Sequence, residues 1–297
     1  MEDHQGESYY FLKTVARAVS VLDLFTASDA ELGVADVGRR LKLHKSVAHR
    51  LLATLTDLGL LATGSSNGAY RLGAKSLQLG LSYLRHSPID RVAQTHMMRL
   101  AQELPDFAFH VAILDGVDIV YQKSVVTPRA ARWVSPTLGR RTMAYCTALG
   151  KVLLAYLSPA ELDNYLSRVE LRPYTPNTIT TAEALRHELE QVRINGYACD
   201  NAEAHADRRC VGAPIRDHTE RVVAALSMSG LSGKVDECGK DILAQTIKSA
   251  AAAISHDLGF PTLPAASQRP VGGSNDRWLS TKRYGRGHAF VGLRYQC

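Results

Sequence analysis

The 297-residue sequence has no run of 18 or more uncharged apolar residues, so no transmembrane helix is expected of it. Cysteine is scarce and scattered: Cys146, Cys199, Cys210, Cys238 and Cys297 are odd in number and never spaced C-x-x-C. That excludes a disulfide framework and a cysteine-held structural zinc, and it fits a reducing cytoplasm. The acidic opening Met1-Glu2-Asp3-His4 lacks an apolar segment with a small-residue cleavage site, so no secretory signal is expected. Gly-rich phosphate loops, metal-spaced ligand sets, nucleophile elbows and paired-carboxylate motifs are also missing. Neither a metal nor a cofactor is expected, and no enzymatic activity.

What is present begins with charge. The formal net charge is +6, and residues 259–297 alone supply +5 of it, so the overall basicity says little about nucleic acid. The local signal says more: Arg39, Arg40, Lys42, Lys45 and Arg50 fall within twelve residues that contain no acid.

Apolar spacing gives that cluster a structural setting. Leu12, Val15, Val19, Leu22 and Phe25 recur at helical intervals and predict one buried face. A second short pattern (Val34, Val37, Leu41) is followed by a tight connection over residues 42–44. A third pattern carries Val47, Leu51, Leu55 and Leu58 on one stripe. Residues 60–62 and 69–72 read as strands around a Gly/Ser/Asn turn. The order predicts a winged helix-turn-helix over 10–73. A short turn sets two helices at a steep angle, so that the second offers a polar face to the major groove. Lys45, Ser46 and His49 fall on that outer face and Arg50 on its flank, with Arg39 and Arg71 nearby as candidate DNA contacts.

Residues 74–88 read as a helical linker and 89–258 as a second domain. Its pattern has a break at Ser87-Pro88, a hairpin at 107–126 with an Asp115-Gly116 turn, and helices near 145–157 and 181–195. The latter is opened by Thr180-x-x-Glu183 and closed by Gly196. Strands follow at 196–200, 209–215 and 221–229, then a last helix at 239–257. The pattern predicts an α+β domain, one antiparallel sheet flanked by helices. Residues 259–297, rich in Gly, Ser, Pro and Arg without a period, read as a disordered basic tail.

Residues 10–257 resemble the IclR-type bacterial transcriptional regulators in both domains and in order. The head resembles them at residues 34–55 (VADVGRRLKLHKSVAHRLLATL) and 70–73 (YRLG). The second domain does so at 139–155 (GRRTMAYCTALGKVLLA), 193–200 (RINGYACD), 210–215 (CVGAPI) and 222–229 (VVAALSMS). The resemblance implies a GAF-like effector domain, a homodimer or dimer of dimers, and double-stranded operators of two-fold symmetry. RNA polymerase is a further candidate partner, and no membrane association is implied. The family's ligand contacts fall on Asp200, Cys210, Ser227 and Ser229, with backbone N–H groups of Ala148 and Leu149. A helix amino end and two serines on one strand face suit the carboxylate of a small effector acid. Asp200 and Cys210 would meet its other end, in a small pocket that is mostly apolar and sparsely polar. The string AYCTALG at 144–150 is most similar to the branch controlling aromatic-acid catabolism, of β-ketoadipate type. Three positions depart from the family pattern: Lys42 for a left-handed turn glycine, Ala202 for the first of a Glu-Glu pair, and Asp207 for a glycine.

Other readings stay open at this point. The winged helix could make protein rather than DNA contacts, the cysteines could sense redox state, and Cys210–His205 or Ser227–His218 could be drawn as nucleophile and base.

Overall fold

The structure, a computed structural model, describes residues 11–26, 31–66, 68–134 and 137–261. The tail at 262–297, with Cys297, lies outside the described residues. The chain divides after Ser87 into two compact units.

The first unit runs α1 (Lys13–Leu24), β1 (Leu32–Gly33), α2 (Val34–Leu41), α3 (Lys45–Asp57), β2 (Leu61–Thr63), β3 (Ala69–Leu72) and α4 (Ala74–Arg85). Its core is Val21, Phe25, Leu32, Val37, Ala48, Leu52, Leu55 and Leu61. The two-residue strand β1, not foreseen, pairs antiparallel with β3 and completes a three-stranded wing in the order β1-β3-β2. Two expected faces are rotated. In α1 the inward side chains are Val21 and Phe25, while Leu12, Val15 and Val19 are half or more exposed. In α3 the inner stripe is Ala48, Leu52 and Leu55; Val47 and Leu51 are half-buried flanks and Leu58 is exposed. The alanine defines the line of closest approach, because a small side chain lets α2 press against α3. A reading that weighs only large apolar residues misses it.

The second unit begins with α5 (Pro88–Glu103), whose first residue is a proline, placed where a helix has no use for its N–H. The hairpin β4 (Ala108–Asp115) and β5 (Asp118–Val126) turns through Gly116-Val117, with Gly116 at φ +65°. The strained position is therefore the first of the two loop residues, which suits glycine. Next come β6 (Arg141–Met143), α6 (Ala148–Ala155), α7 (Pro159–Arg168), α8 (Ala182–Asn195), β7 (Ala198–Asn201), β8 (Arg208–Arg216), β9 (Val222–Leu231), α9 (Ser232–Cys238) and α10 (Lys240–Asp257).

The six strands form one antiparallel sheet in the order β6-β5-β4-β9-β8-β7. Alternation divides its faces. Phe109, Val111, Val211, Ala213, Ile215, Leu226 and Met228 pack against α5 and α10. Ala112, Ile119, Ala198 and Ala225 pack against α6, α7 and α8. Helix α7 was not foreseen, although Ser158-Pro159-x-Glu161 signals it: Ser158 Oγ accepts from Glu161 N, and the Glu161 carboxylate accepts from Ser158 N at 2.8 Å. The cap of α8 is Thr181 rather than Thr180; its hydroxyl accepts from Ala184 N at 3.3 Å, and Gly196 closes the helix at φ +72°.

Candidate functional site

Two sites emerge, one in each unit. In the first, α2 ends at Lys42, whose backbone is left-handed (φ 53°, ψ 40°). Leu43 N donates to Gly38 O at 2.8 Å, and α3 starts two residues later. This turn throws Lys45, Ser46, His49 and Arg50 outward; all four are exposed on α3 while Ala48 and Leu52 anchor its inner side. Arg39 is exposed on the last turn of α2, bonded to Asp36 Oδ1 at 2.6 Å. Arg71 is exposed on β3, its Nε donating to Thr63 O at 3.3 Å. Glu31 holds the turn of the wing by accepting from Ser65 N at 2.8 Å, and that bond keeps its carboxyl below the ordinary range.

In the second unit the register of the sheet assembles the other site. Asp200 on β7 pairs with Cys210 on β8, and Cys210 with Ser229 on β9. One row along, Gly212 pairs with Ser227, and Ser227 with His110 on β4. All of these share the sheet face that α6 covers. Thr147 caps α6 by accepting from Gly150 N at 3.1 Å, so Ala148 and Leu149 open the helix with amide groups that precede any carbonyl of the helix itself. Ala148, Leu149, Asp200, Cys210, Ser227 and Ser229 line one hollow of about 80 Å³. Since one water needs roughly 10–15 Å³ by the same measure, the space takes a molecule of several non-hydrogen atoms.

The hollow is small and more apolar than polar, as expected, but it is not sparsely polar. Thr137, Arg140, Thr142, Thr147, His205 and Arg208 also line it, beside Tyr121 and Trp133. Of these only His205 was singled out in the sequence, and then as a candidate base beside Cys210 rather than as a ligand contact. Arg208 was within reach, because it lies two residues before Cys210 on the same strand and must share its face. The loop residues Thr137 and Arg140 carry no periodicity; Arg140 falls in the stretch 139–155 quoted for the resemblance, but nothing there assigns it to a ligand.

Electrostatics follow from burial. Asp200 is buried; its Oδ1 accepts from Glu203 N at 2.7 Å, yet desolvation pushes its carboxyl up to about 6. His110, behind the hollow, meets Ser124 Oγ at 3.0 Å and Thr137 Oγ1 at 3.2 Å, and burial lowers its imidazole to about 4. Lys151 on α6 is buried between Glu203 (2.7 Å) and Glu188 (2.8 Å). It fixes the turn that carries Asp200.

The same burial weighs against the other readings. Burial pushes the Cys146 thiol up to about 12 and the Cys210 thiol higher still, so neither carries the thiolate that redox chemistry needs. Ser227 and His218 are far apart. His218 sits in the exposed turn before β9, and Ser227 lies five residues beyond Val222, about 17 Å along the strand. Among the described residues no group of three or more His, Cys, Asp or Glu could hold a metal, and no helix is long and apolar enough to cross a membrane.

Comparison with known proteins agrees with this geometry. The profile of the IclR helix-turn-helix domain matches residues 14–64, and that of the bacterial transcriptional regulator IclR C-terminal domain matches residues 81–256. The HTH-type transcriptional regulator XynR of Escherichia coli K12 is 36% identical over 250 residues, 84% of this chain and 98% of its own length. The Pca regulon regulatory protein of Pseudomonas putida is 33% identical, covering 76% of each chain. Among solved structures, Thermotoga maritima IclR superposes with a TM-score of 0.64 at 32% identity, over 83% of this chain and 99% of its own. An IclR homolog from Microbacterium hydrocarbonoxydans, complexed with 4-hydroxybenzoate, gives 0.70 at 28% identity over 82% of this chain and 98% of its own. A helix-turn-helix head followed by a six-stranded sensor, matched in both parts and in order, places this chain in the IclR family of bacterial transcriptional regulators.

Proposed function

We propose that this regulator binds a two-fold symmetric double-stranded operator through α3 and releases or engages it in response to a small organic acid, in control of a catabolic operon in the cytoplasm. The observation that carries the DNA part is the segregation of α3: Lys45, Ser46, His49 and Arg50 face outward while Ala48, Leu52 and Leu55 are spent on the core. Lys45, Ser46 and His49 stand in the first turns, where a recognition helix reaches base edges, and Arg50 reaches a base or a phosphate. Arg39 and Arg71 sit where they can hold the flanking backbone. Protein contacts through the wing would not need four hydrogen-bonding side chains on one helix face.

The acid is held at one end by the amide groups of Ala148 and Leu149 with Ser227 and Ser229, and met by Asp200 and Cys210 across the sheet. Self-association as a dimer or dimer of dimers is supported by exposed apolar side chains. Leu12, Val15 and Val19 line one side of α1, and Leu77 and Leu81, one turn apart, lie on α4, which buries none of its residues. The effector shifts operator occupancy only by its differential affinity for two arrangements of that assembly.

The test is a mobility shift with the intergenic DNA beside the chain's own gene, at two salt concentrations. His49→Ala and Arg50→Ala are expected to weaken specific binding tenfold or more and to relax base preference. Wild-type affinity and preference in both variants would refute the assignment of α3.

A further inference from the structure

The residues assigned to the acid account for one end of the hollow only. Its other end carries the cations Arg208 and Arg140, beside His205 and Trp133. Arg208 opens β8, two residues before Cys210 and four before Gly212, so all three face α6. Gly212 lies under the start of α6: a Cβ built there would stand 3.2 Å from the carbonyl carbon of Ala148. Four residues of strand set the Arg208 Cα about 13 Å from that point, and the long side chain shortens the gap.

Arg208 is ion-paired to the neighbouring, exposed Asp207 but makes no hydrogen bond through Nε. Its Nε is buried, and Asp207 Oδ1 stands 3.6 Å away, beyond hydrogen-bonding distance. Its Cζ lies over the Trp133 ring, 5.7 Å from the centre. Burial first, then Arg208, hold the His205 imidazole below its ordinary range against the opposing pull of Asp207, so it faces the hollow as a neutral hydrogen-bonding group. Two guanidinium groups beside one cavity suit an anion held there.

We propose that Arg208, seconded by Arg140, forms a second anion-binding end of this hollow, and that the effector is a short unbranched dicarboxylate lying between α6 and Arg208. The inference rests on the acid-pocket reading above and names the class of acid. A planar carboxylate fits the flat donor edge of a stacked guanidinium, whereas a phosphoryl group would crowd about 80 Å³ that must also hold the first acid. An aromatic monoacid would bring no second carboxylate to Arg208.

Calorimetry on the full chain decides it, with succinate, glutarate and adipate set against butyrate, valerate and caproate. One diacid is expected to bind at least tenfold tighter than the monoacid of equal length. Arg208→Leu should erase that ratio while changing monoacid affinity less than twofold, and Ser229→Ala should weaken both series. Arg208→Gln provides the same reading if the leucine variant does not fold. Equal affinities for diacids and monoacids, or an Arg208 variant that weakens both alike, would overturn the dicarboxylate while leaving the acid pocket standing. Tighter binding of 4-hydroxybenzoate or phosphoglycolate than of every diacid would overturn it in the same way. Failure of every acid to bind would remove the acid pocket and this inference together.

Discussion

Gly212 lies directly beneath Ala148. A Cβ at position 212 would stand 3.2 Å from the carbonyl carbon and oxygen of Ala148 and 3.4 Å from its methyl group. The opening turn of α6 is thus pressed onto β8 at a place where the sheet offers no side chain. That contact sets how far the amide groups of Ala148 and Leu149 project toward Ser227. Gly212→Ala should therefore act twice. Forcing α6 outward costs about 1–2 kcal/mol of stability, as overpacking does elsewhere. Displacing the two donors should lower acid affinity at least fivefold, while operator binding without acid stays unchanged. Thermal unfolding, calorimetry and a mobility shift on one preparation measure all three. Acid affinity equal to wild type would show that α6 does not position the ligand.

Lys42 occupies a backbone conformation that costs an L-residue with a Cβ about 1 kcal/mol, and the turn between α2 and α3 needs it there. Lys42→Gly should raise the unfolding midpoint of the first unit, by up to about 1 kcal/mol after the extra entropy of a glycine in the unfolded chain is charged against it. If the lysine also neutralises a phosphate, the same variant lowers the slope of log affinity against log salt by about 1. A melt and a salt titration separate the two roles, and an unchanged or lowered midpoint would count against strain at this position.

The fold was largely legible because periodicity reports which side of an element is dry. The helix-turn-helix, the sheet strands from β7 to β9 and the helix at 240–257 all carry long patterns. What stayed hidden was carried by short or small signals. The strand β1 has two residues and no period to show. Ala48 outranks Val47 on the inner face of α3 because close packing favours the smaller side chain. At the ligand site, residues on strands were found because a period of two assigns faces, and Arg208 could have been. Thr137, Arg140 and His205 reach the hollow from loops, where spacing in sequence has no fixed relation to distance. The expectation of sparse polarity failed partly for the same reason, since these three loop residues add to the polar groups that the strands supply.

Lys151 tests how the buried charges near Asp200 are balanced. It is 1% exposed and bonded to both Glu188 and Glu203, while Glu203 Oε2 is buried without a partner. Lys151→Ala would leave a carboxylate buried and unpaired, a loss of about 3–5 kcal/mol. Adding Glu203→Gln should recover a large part of that loss by removing the unpaired charge. Chemical denaturation of the single and double variants gives the comparison, and a double variant no more stable than Lys151→Ala would mean that the ion pair is not what the lysine contributes.

His110 and Asp200 stand on the same face of the sheet and titrate against each other. Burial lowers His110 to about 4, so between pH 4 and 6.5 the unfolded chain holds a proton that the folded chain does not. Its contribution to stability is lost as pH falls through that window. Burial raises Asp200 to about 6, so between about 4 and 6 the folded chain holds a proton that the unfolded chain has released. That contribution is lost as pH rises. The two slopes oppose each other over nearly the same range, and the native protein is expected to be flatter there than either variant. Asp200→Asn leaves the histidine alone, so stability relative to wild type should climb with pH by about 2 kcal/mol between pH 4 and 6. His110→Gln leaves the aspartate alone, and its relative stability should fall by a similar amount over the same interval. Urea titrations from pH 4.5 to 7 on the three proteins read the signs directly. Variants that both move in one direction would mean that one of these two groups does not hold the protonation state its burial imposes.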